Sequence, residues 1–189
     1  MTTSSVKAFV LVLAVAVAFV AVASYSQEKT LAVGGAEPVV DGIVTAGEYA
    51  LQNDYGSMQI SLSRSADTLY VGAVGRTQGW VAVGLNSLKM DGATIFMGAV
   101  GEDGGVRFSA QTGSAHRHSE AKDESVSDSL VSYGVTEADG RTTLEIALKA
   151  GSYITDGQSS LDMIYAIGPA DTFYASHIYH GSQRVALTR

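Results

Sequence analysis

Leu144-Glu145-Ile146-Ala147-Leu148-Lys149 reads apolar, polar, apolar, small, apolar, polar. Successive side chains leave a pleated strand on opposite sides, so a period of two marks a strand with one face on a core. The spacing predicts a strand that buries Leu144, Ile146 and Leu148 and turns Glu145, Ala147 and Lys149 to water, as antiparallel sheets commonly do. The same rhythm runs outward along the chain. Met58, Ile60 and Leu62 alternate with Gln59, Ser61 and Ser63, and Leu69, Val71 and Ala73 alternate with Tyr70, Gly72 and Val74. Between the bursts stand Glu102-Asp103-Gly104-Gly105 and Ala138-Asp139-Gly140, where glycine supplies the positive φ of a tight turn; both are expected to be hairpin turns. No segment carries a helical stripe beyond one or two turns. With 21 glycines and 2 prolines, the chain reads as an all-β protein, an antiparallel β-sandwich.

The N-terminus has a different texture. Lys7 precedes an unbroken apolar run from Ala8 to Ala23 that closes on Ala21-Val22-Ala23, the small residues of a cleavage site. Residues 1–23 are expected to be a secretory signal peptide. The run falls short of the roughly 18 to 20 apolar residues that a span needs, so a retained membrane anchor is the weaker reading. Residues 24–36 are expected to form an N-terminal linker or first strand, and 37–189 a single domain, long enough for a proper core. The expected destination is exported: periplasmic, cell-surface or extracellular.

Composition narrows the function. There are 12 basic against 19 acidic residues, a net charge of −7, and losing Lys7 with the leader makes the mature chain more acidic still. Such a surface repels nucleic acid. The absence of cysteine excludes disulfides, thiolate metal sites, iron–sulfur clusters and covalent c-type haem attachment. No nucleophile elbow, phosphate-cradling loop or zinc-protease spacing occurs.

From about Ser109 to Ser129 the apolar rhythm fades through Gln111-Thr112-Gly113-Ser114-Ala115-His116-Arg117-His118-Ser119-Glu120. A long exposed loop is expected there, a candidate lid or partner contact. His116 and His118, with Glu120 and Asp123 nearby, form a nominal metal-ligand set, but the run's polarity favours a solvated segment.

Two further stretches stand out together. Gly79-Trp80-Val81-Ala82-Val83-Gly84-Leu85 leads into Met90-Asp91-Gly92-Ala93, and far downstream lies His177-Ile178-Tyr179-His180-Gly181-Ser182-Gln183-Arg184. Strands bring such distant segments together, and a thioether with an imidazole is a recognised axial pair for haem iron. Met90 occupies a polar, glycine-flanked approach to the next strand, an odd place for core packing. Met97, in mid-strand, reads as core filler. In a strand, residues 177 and 180 would point to opposite faces, so one histidine alone would meet a pocket; His180 is favoured over His177 because Gly181 and Ser182 would let a flat macrocycle approach. Trp80, Leu85, Ile95, Phe96 and Tyr179 are candidate slot walls.

Val40-Asp41-Gly42 with Gly47-Glu48-Tyr49, Leu69-Tyr70-Val71, the Gly79–Gly84 stretch, Met90-Asp91-Gly92-Ala93, Ile164-Tyr165-Ala166 and His180 ahead of Arg184 resemble the DOMON family in order and spacing, over nearly the whole mature chain. The resemblance implies a β-sandwich that holds haem b or, in other branches, a sugar. Carried over position by position, it implies Met90 and His180 as axial ligands of non-covalent haem b, with His177 as rival. Arg184 is a candidate partner for a haem propionate; relatives often have Arg-Gly after the histidine, whereas Val185 follows here. With both axial positions filled by protein, the implied role is one-electron transfer or redox sensing with a redox partner protein, soluble or membrane-bound, and not enzymatic catalysis. The alternative is a non-catalytic carbohydrate-binding module for polysaccharide at the cell surface. Sugar platforms need exposed aromatic faces, and the chain has one tryptophan beside 9 tyrosines.

Overall fold

A computed structural model describes residues 30–188. The expected signal peptide lies outside the described residues. Along the described chain run β1 (Thr30–Ala32), β2 (Leu51–Asp54), β3 (Met58–Arg64), β4 (Thr68–Gly75), β5 (Val81–Leu85), β6 (Thr94–Val100), β7 (Val106–Ser114), β8 (Arg117–Glu120), α1 (Glu124–Ser129), β9 (Leu130–Ala138), β10 (Arg141–Lys149), β11 (Ser160–Ile167) and β12 (Tyr179–Thr188). They form two sheets, ordered β1-β12-β11-β5-β6-β7-β8 and β2-β3-β4-β10-β9. Pairing is antiparallel except that β1 lies parallel to β12. The molecule is an all-β sandwich, as the alternation implies. Among the described residues no helix is long and apolar enough to cross a membrane.

The core forms where the inner faces meet. Ile60, Leu62, Val71, Leu144, Ile146 and Leu148 from the smaller sheet pack against Val83, Leu85, Phe96, Leu161 and Met163 from the larger. Each such side chain removed from water contributes about 1.5–3 kcal/mol, which fixes the strand registers as read. Both expected hairpin turns connect paired strands, β6 to β7 and β9 to β10. Gly104 and Gly140 take the positive φ there, 75° and 71°.

The strand that opened the sequence reading departs from expectation on its outer face. Glu145 and Ala147 are buried. The segment between β1 and β2 folds across them and supplies what a buried carboxylate needs. The backbone N–H groups of Asp41, Gly42 and Ile43 donate to Glu145 Oε2 at 3.2, 2.8 and 3.0 Å, and the Tyr49 hydroxyl donates to Oε1 at 2.6 Å. Gly42 holds φ at 87°, and a Cβ on Gly134 would lie 2.5 Å from the Gly42 nitrogen. Burial pushes the Glu145 carboxyl up, while the bonds from Tyr49 and the backbone pull against that rise. Burial, then the bond to Glu145, drives the Tyr49 hydroxyl far above its usual range. The Val-Asp-Gly and Gly-Glu-Tyr stretches are thus the two arms of one buried knot.

The expected loop at 109–129 is also corrected. Most of it is β7, β8 and α1. Its polar composition suits β8, an edge strand, where charged side chains discourage edge-to-edge pairing. The β7–β8 turn puts Ala115 at φ 52° and His116 at φ 60°, the two positive values of a type I′ hairpin. Neither residue is the usual glycine or asparagine, which hid the turn.

Candidate functional site

In β5 the residues Val81, Val83 and Leu85 point into the core, so Ala82 and Gly84 face outward. The neighbours in register repeat this: Ile164 and Ala166 on β11, Ile95 and Met97 on β6. These outward residues pack with Trp80 and Ala93 into a second, smaller buried cluster. They floor a cavity of about 540 Å³ on the outer face of the larger sheet. Gly84 is required here, because a Cβ would sit 2.6 Å from Ile164 Cγ1.

One side of the cavity is built by the Met90 turn and the β7–β8 hairpin. Gly92 adopts φ 81°, Ala93 N–H donates to the Met90 carbonyl at 3.1 Å, and Gly92 and Gly113 exchange backbone bonds with the turn's neighbours at 3.0 Å. A Cβ on Gly113 would fall 1.8 Å from the Met90 carbonyl oxygen. Asp91 Oδ1 accepts the His116 N–H at 2.9 Å and ties the turn to the hairpin. Met-Asp-Gly-Ala is thus the sequence of a pinned turn that presents Met90 to the cavity. His116, Arg117 and His118 line the same side. His118 Nδ1 is bonded to Gln111 Oε1, and burial holds its imidazole below the ordinary value.

The other side is the segment Tyr174–His177, which precedes β12. Trp80 stands at the nearby end, one residue before β5. Its N–H donates to the Ala170 carbonyl at 3.1 Å and its carbonyl accepts the Gly168 N–H at 2.9 Å. Gly79 and Gly168 allow this approach: a Cβ on Gly79 would meet the Ala170 nitrogen at 2.3 Å, and one on Gly168 would strike the Trp80 ring at 2.1 Å. Trp80 Nε1 is buried without a hydrogen-bond partner. It lies against Gly168, whose added Cβ would fall 2.1 Å from it.

The structure brings Met90, Trp80 and His177 to this cavity. His180 is not among its lining residues; its ring lies 4.3 Å from that of His177. The parity argument fails because β12 begins at Tyr179, so His177 is not in the strand. Gly181 is small for another reason: its Cβ would hit the Tyr165 hydroxyl at 2.4 Å on the inner face. Arg184 is engaged elsewhere. It pairs bidentately with Asp162 across the β11–β12 ladder, Nε to Oδ1 at 2.6 Å and Nη2 to Oδ2 at 2.8 Å, which holds the Asp162 carboxyl below its usual range.

Of the expected slot walls, Trp80 and Ile95 meet the cavity, whereas Leu85, Phe96 and Tyr179 belong to the main core. Met97 is buried as expected, yet beneath the cavity and not between the sheets. His116 and His118 both reach the cavity, while no group of three His, Asp or Glu side chains among the described residues is arranged to hold a metal ion. Sequence reasoning missed the cavity's floor. Its signal was present in Val81-Ala82-Val83-Gly84-Leu85, where every second residue is small, the pattern of a face approached by something other than the core.

No family model matches the chain, and neither does any curated protein. Among solved structures, the chain is similar to a family 9 carbohydrate-binding module from Caldicellulosiruptor kristjanssonii in complex with cellotriose. That likeness has 11% identity and a TM-score of 0.50, over 85% of this chain and 94% of that one. It is also similar to the cytochrome b domain of pyranose dehydrogenase from Coprinopsis cinerea, at 11% identity and TM-score 0.49, over 68% of this chain and 76% of that one. The cytochrome domain of Myriococcum thermophilum cellobiose dehydrogenase matches at 12% identity and TM-score 0.48, over 73% and 81%. At 11% identity, what the carbohydrate-binding module and this chain share is the fold, a β-sandwich.

Proposed function

We propose that this chain is an exported haem b domain that passes single electrons, in which Met90 and His177 would hold the haem iron. The observation that carries this reading is the cavity itself, an apolar-floored slot on an outer sheet face with a thioether presented from one side and an imidazole from the other. The residues present fit the group. Ala82, Gly84 and Ala166 leave room for a flat macrocycle. When bound, haem supplies a one-electron iron couple, and thioether–imidazole ligation raises its potential.

The chain's own residues do the rest. The Gly92 turn pins the Met90 backbone against Gly113, so the chain that carries the thioether is held in place. The His180 ring lies beside that of His177, outside the cavity lining. With both residues engaged by the iron, the domain would act as an electron carrier. The acidic surface would steer a basic face of a redox partner at low salt.

The test is an absorbance spectrum of the protein produced with ample haem. A low-spin Soret band with sharp reduced α and β bands is expected, lost in Met90→Ala and in His177→Ala and kept in His180→Ala. A colourless protein that also refuses added haemin overturns the reading. One observation favours a second reading: Tyr174, 98% exposed, stands at the cavity's edge, where a sugar ring would stack. Retardation on polysaccharide gels, relieved by free sugar and lost in Tyr174→Ala, would establish that carbohydrate-binding role instead.

A further inference from the structure

The outermost strand of a sheet carries backbone N–H and C=O groups that no neighbour pairs, and chains commonly blunt such edges by shortness or charge. Most edges of this sandwich are blunted in that way. β1 has three residues and β2 has four, closing on Asp54. β8 also has four, Arg117 and Glu120 among them. The part of β7 that β8 leaves open carries Arg107, and the part of β12 that β1 leaves open carries Arg184. β9 differs. It closes the smaller sheet beyond β10, runs for nine residues, and has no charged side chain over 130–136. Val131 and Tyr133 are 59% and 46% exposed, although Tyr133 stands on the core-facing side, opposite Ile146. Its ring stacks on Phe108 across the seam between the sheets, with centroids 4.0 Å apart. Among the described residues, this apolar seam meets solvent beside a backbone edge that no strand pairs.

From this we infer that β9 pairs antiparallel with β9 of a second copy of the chain, about a two-fold axis at Tyr133, so that the two smaller sheets become one. Free backbone groups along an edge are completed by an extended strand, and charge selects which strand fits. At a net charge of −7, two copies repel wherever their acidic surfaces meet. The one long uncharged edge is where they can approach. A two-fold axis at Tyr133, the middle of the uncharged run, sets residues 130–136 against the same run reversed, which makes the contact self-complementary. Glu137, the first charge beyond that run, then lies at opposite ends of the pairing in the two copies, so like charges are not opposed. The edge belongs to the smaller sheet and the cavity to the outer face of the larger one, so the inference is independent of what the cavity binds.

Sedimentation velocity of the exported chain, from about 1 μM to about 1 mM, tests this. A dimer is expected whose share rises with concentration and rises again with added salt, because screening weakens the repulsion between acidic copies. Val131→Lys places like charges near the axis and should weaken the dimer about tenfold, whereas Ser119→Lys, on the edge strand β8, should leave it unchanged. The chain has no cysteine, so a single introduced thiol gives a clean second readout. Ser132→Cys, at an exposed position beside the axis, should be joined into dimers by a short bis-maleimide, and Ser119→Cys should not. A chain that stays monomeric over the whole range overturns the inference and leaves the edge to a different extended polypeptide. A dimer that Val131→Lys leaves intact overturns it too, as does one that disperses with added salt or cross-links through Ser119→Cys and not Ser132→Cys.

Discussion

The two outer faces of this sandwich solve the same problem in opposite ways. On the smaller sheet the segment between β1 and β2 lies across β10 and buries Glu145, whose two oxygens meet Tyr49 and three backbone N–H groups. On the larger sheet Ala82, Gly84 and Ala166 face outward into a small second cluster with Trp80, Ile95 and Met97, above which the chain leaves an open cavity. One face is completed by its own polypeptide; the other is shaped for something else. An outward position filled with a satisfied polar group acts as a structural clasp, and a row of outward positions left small floors an open cavity.

The comparison breaks most sharply at Glu145. Removing it leaves three backbone donors and a hydroxyl buried without an acceptor, so Glu145→Ala should cost about 3–5 kcal/mol. The midpoint of denaturant unfolding measures this, and a loss below about 1 kcal/mol would show that the closed face is merely draped. The open face should respond in the reverse sense. Ala82→Leu grows into space, so it should change stability by less than about 1 kcal/mol while abolishing haemin uptake. Val83→Ala, one residue on and facing the core, should cost about 1–3 kcal/mol and leave uptake intact. If Ala82→Leu still binds haemin, the floor is not where the ligand sits.

Alternation made the sandwich legible because periodicity is a local property: Ile146 and Leu148 show their inner facing in their own spacing. What alternation does not carry is what lies above an outer face. Glu145 reads as solvated because the donors that bury it come from about a hundred residues away. His177 and His180 read as opposed because parity applies only inside a strand, and β12 starts between them. Gly181 reads as a gap for a ligand, yet its absent side chain makes room for Tyr165 on the inner face. Met90 and Trp80 were legible because their signals are local, glycines at Gly79 and Gly92 where the backbone must approach closely or turn. His118 was not, since a histidine in a polar run has no feature that separates a cavity wall from a solvated edge.

The turn beside Arg117 offers a smaller, stabilising test. Ala115 holds φ 52° at the first position of a type I′ hairpin, so Ala115→Gly should relieve the Cβ strain and raise stability by up to about 1 kcal/mol. A higher melting temperature with unchanged haemin affinity would locate the strain in the hairpin. A lower one would mean that the Ala115 side chain earns its place through packing.

The weakest and most discriminating contrast is in pH. His118, on the open face, has its imidazole held below the ordinary 6.5 by burial, so in the window just below that value the unfolded chain binds more protons than the folded one. Stability then falls as pH drops through 6.5. Glu145, on the closed face, is pushed above the ordinary 4.5, first by burial; here the folded chain binds more protons, and stability falls as pH rises from 4.5. The two faces therefore pull in opposite directions. His118→Gln should flatten the loss on the acid side of 6.5 and leave the slope above 4.5 untouched, and Glu145→Gln should do the converse. Unfolding followed at half-unit steps between pH 4 and 7 separates the two. A shared response, with both slopes altered by either substitution, would mean that the faces are coupled through the core and are not the independent solutions their geometry describes.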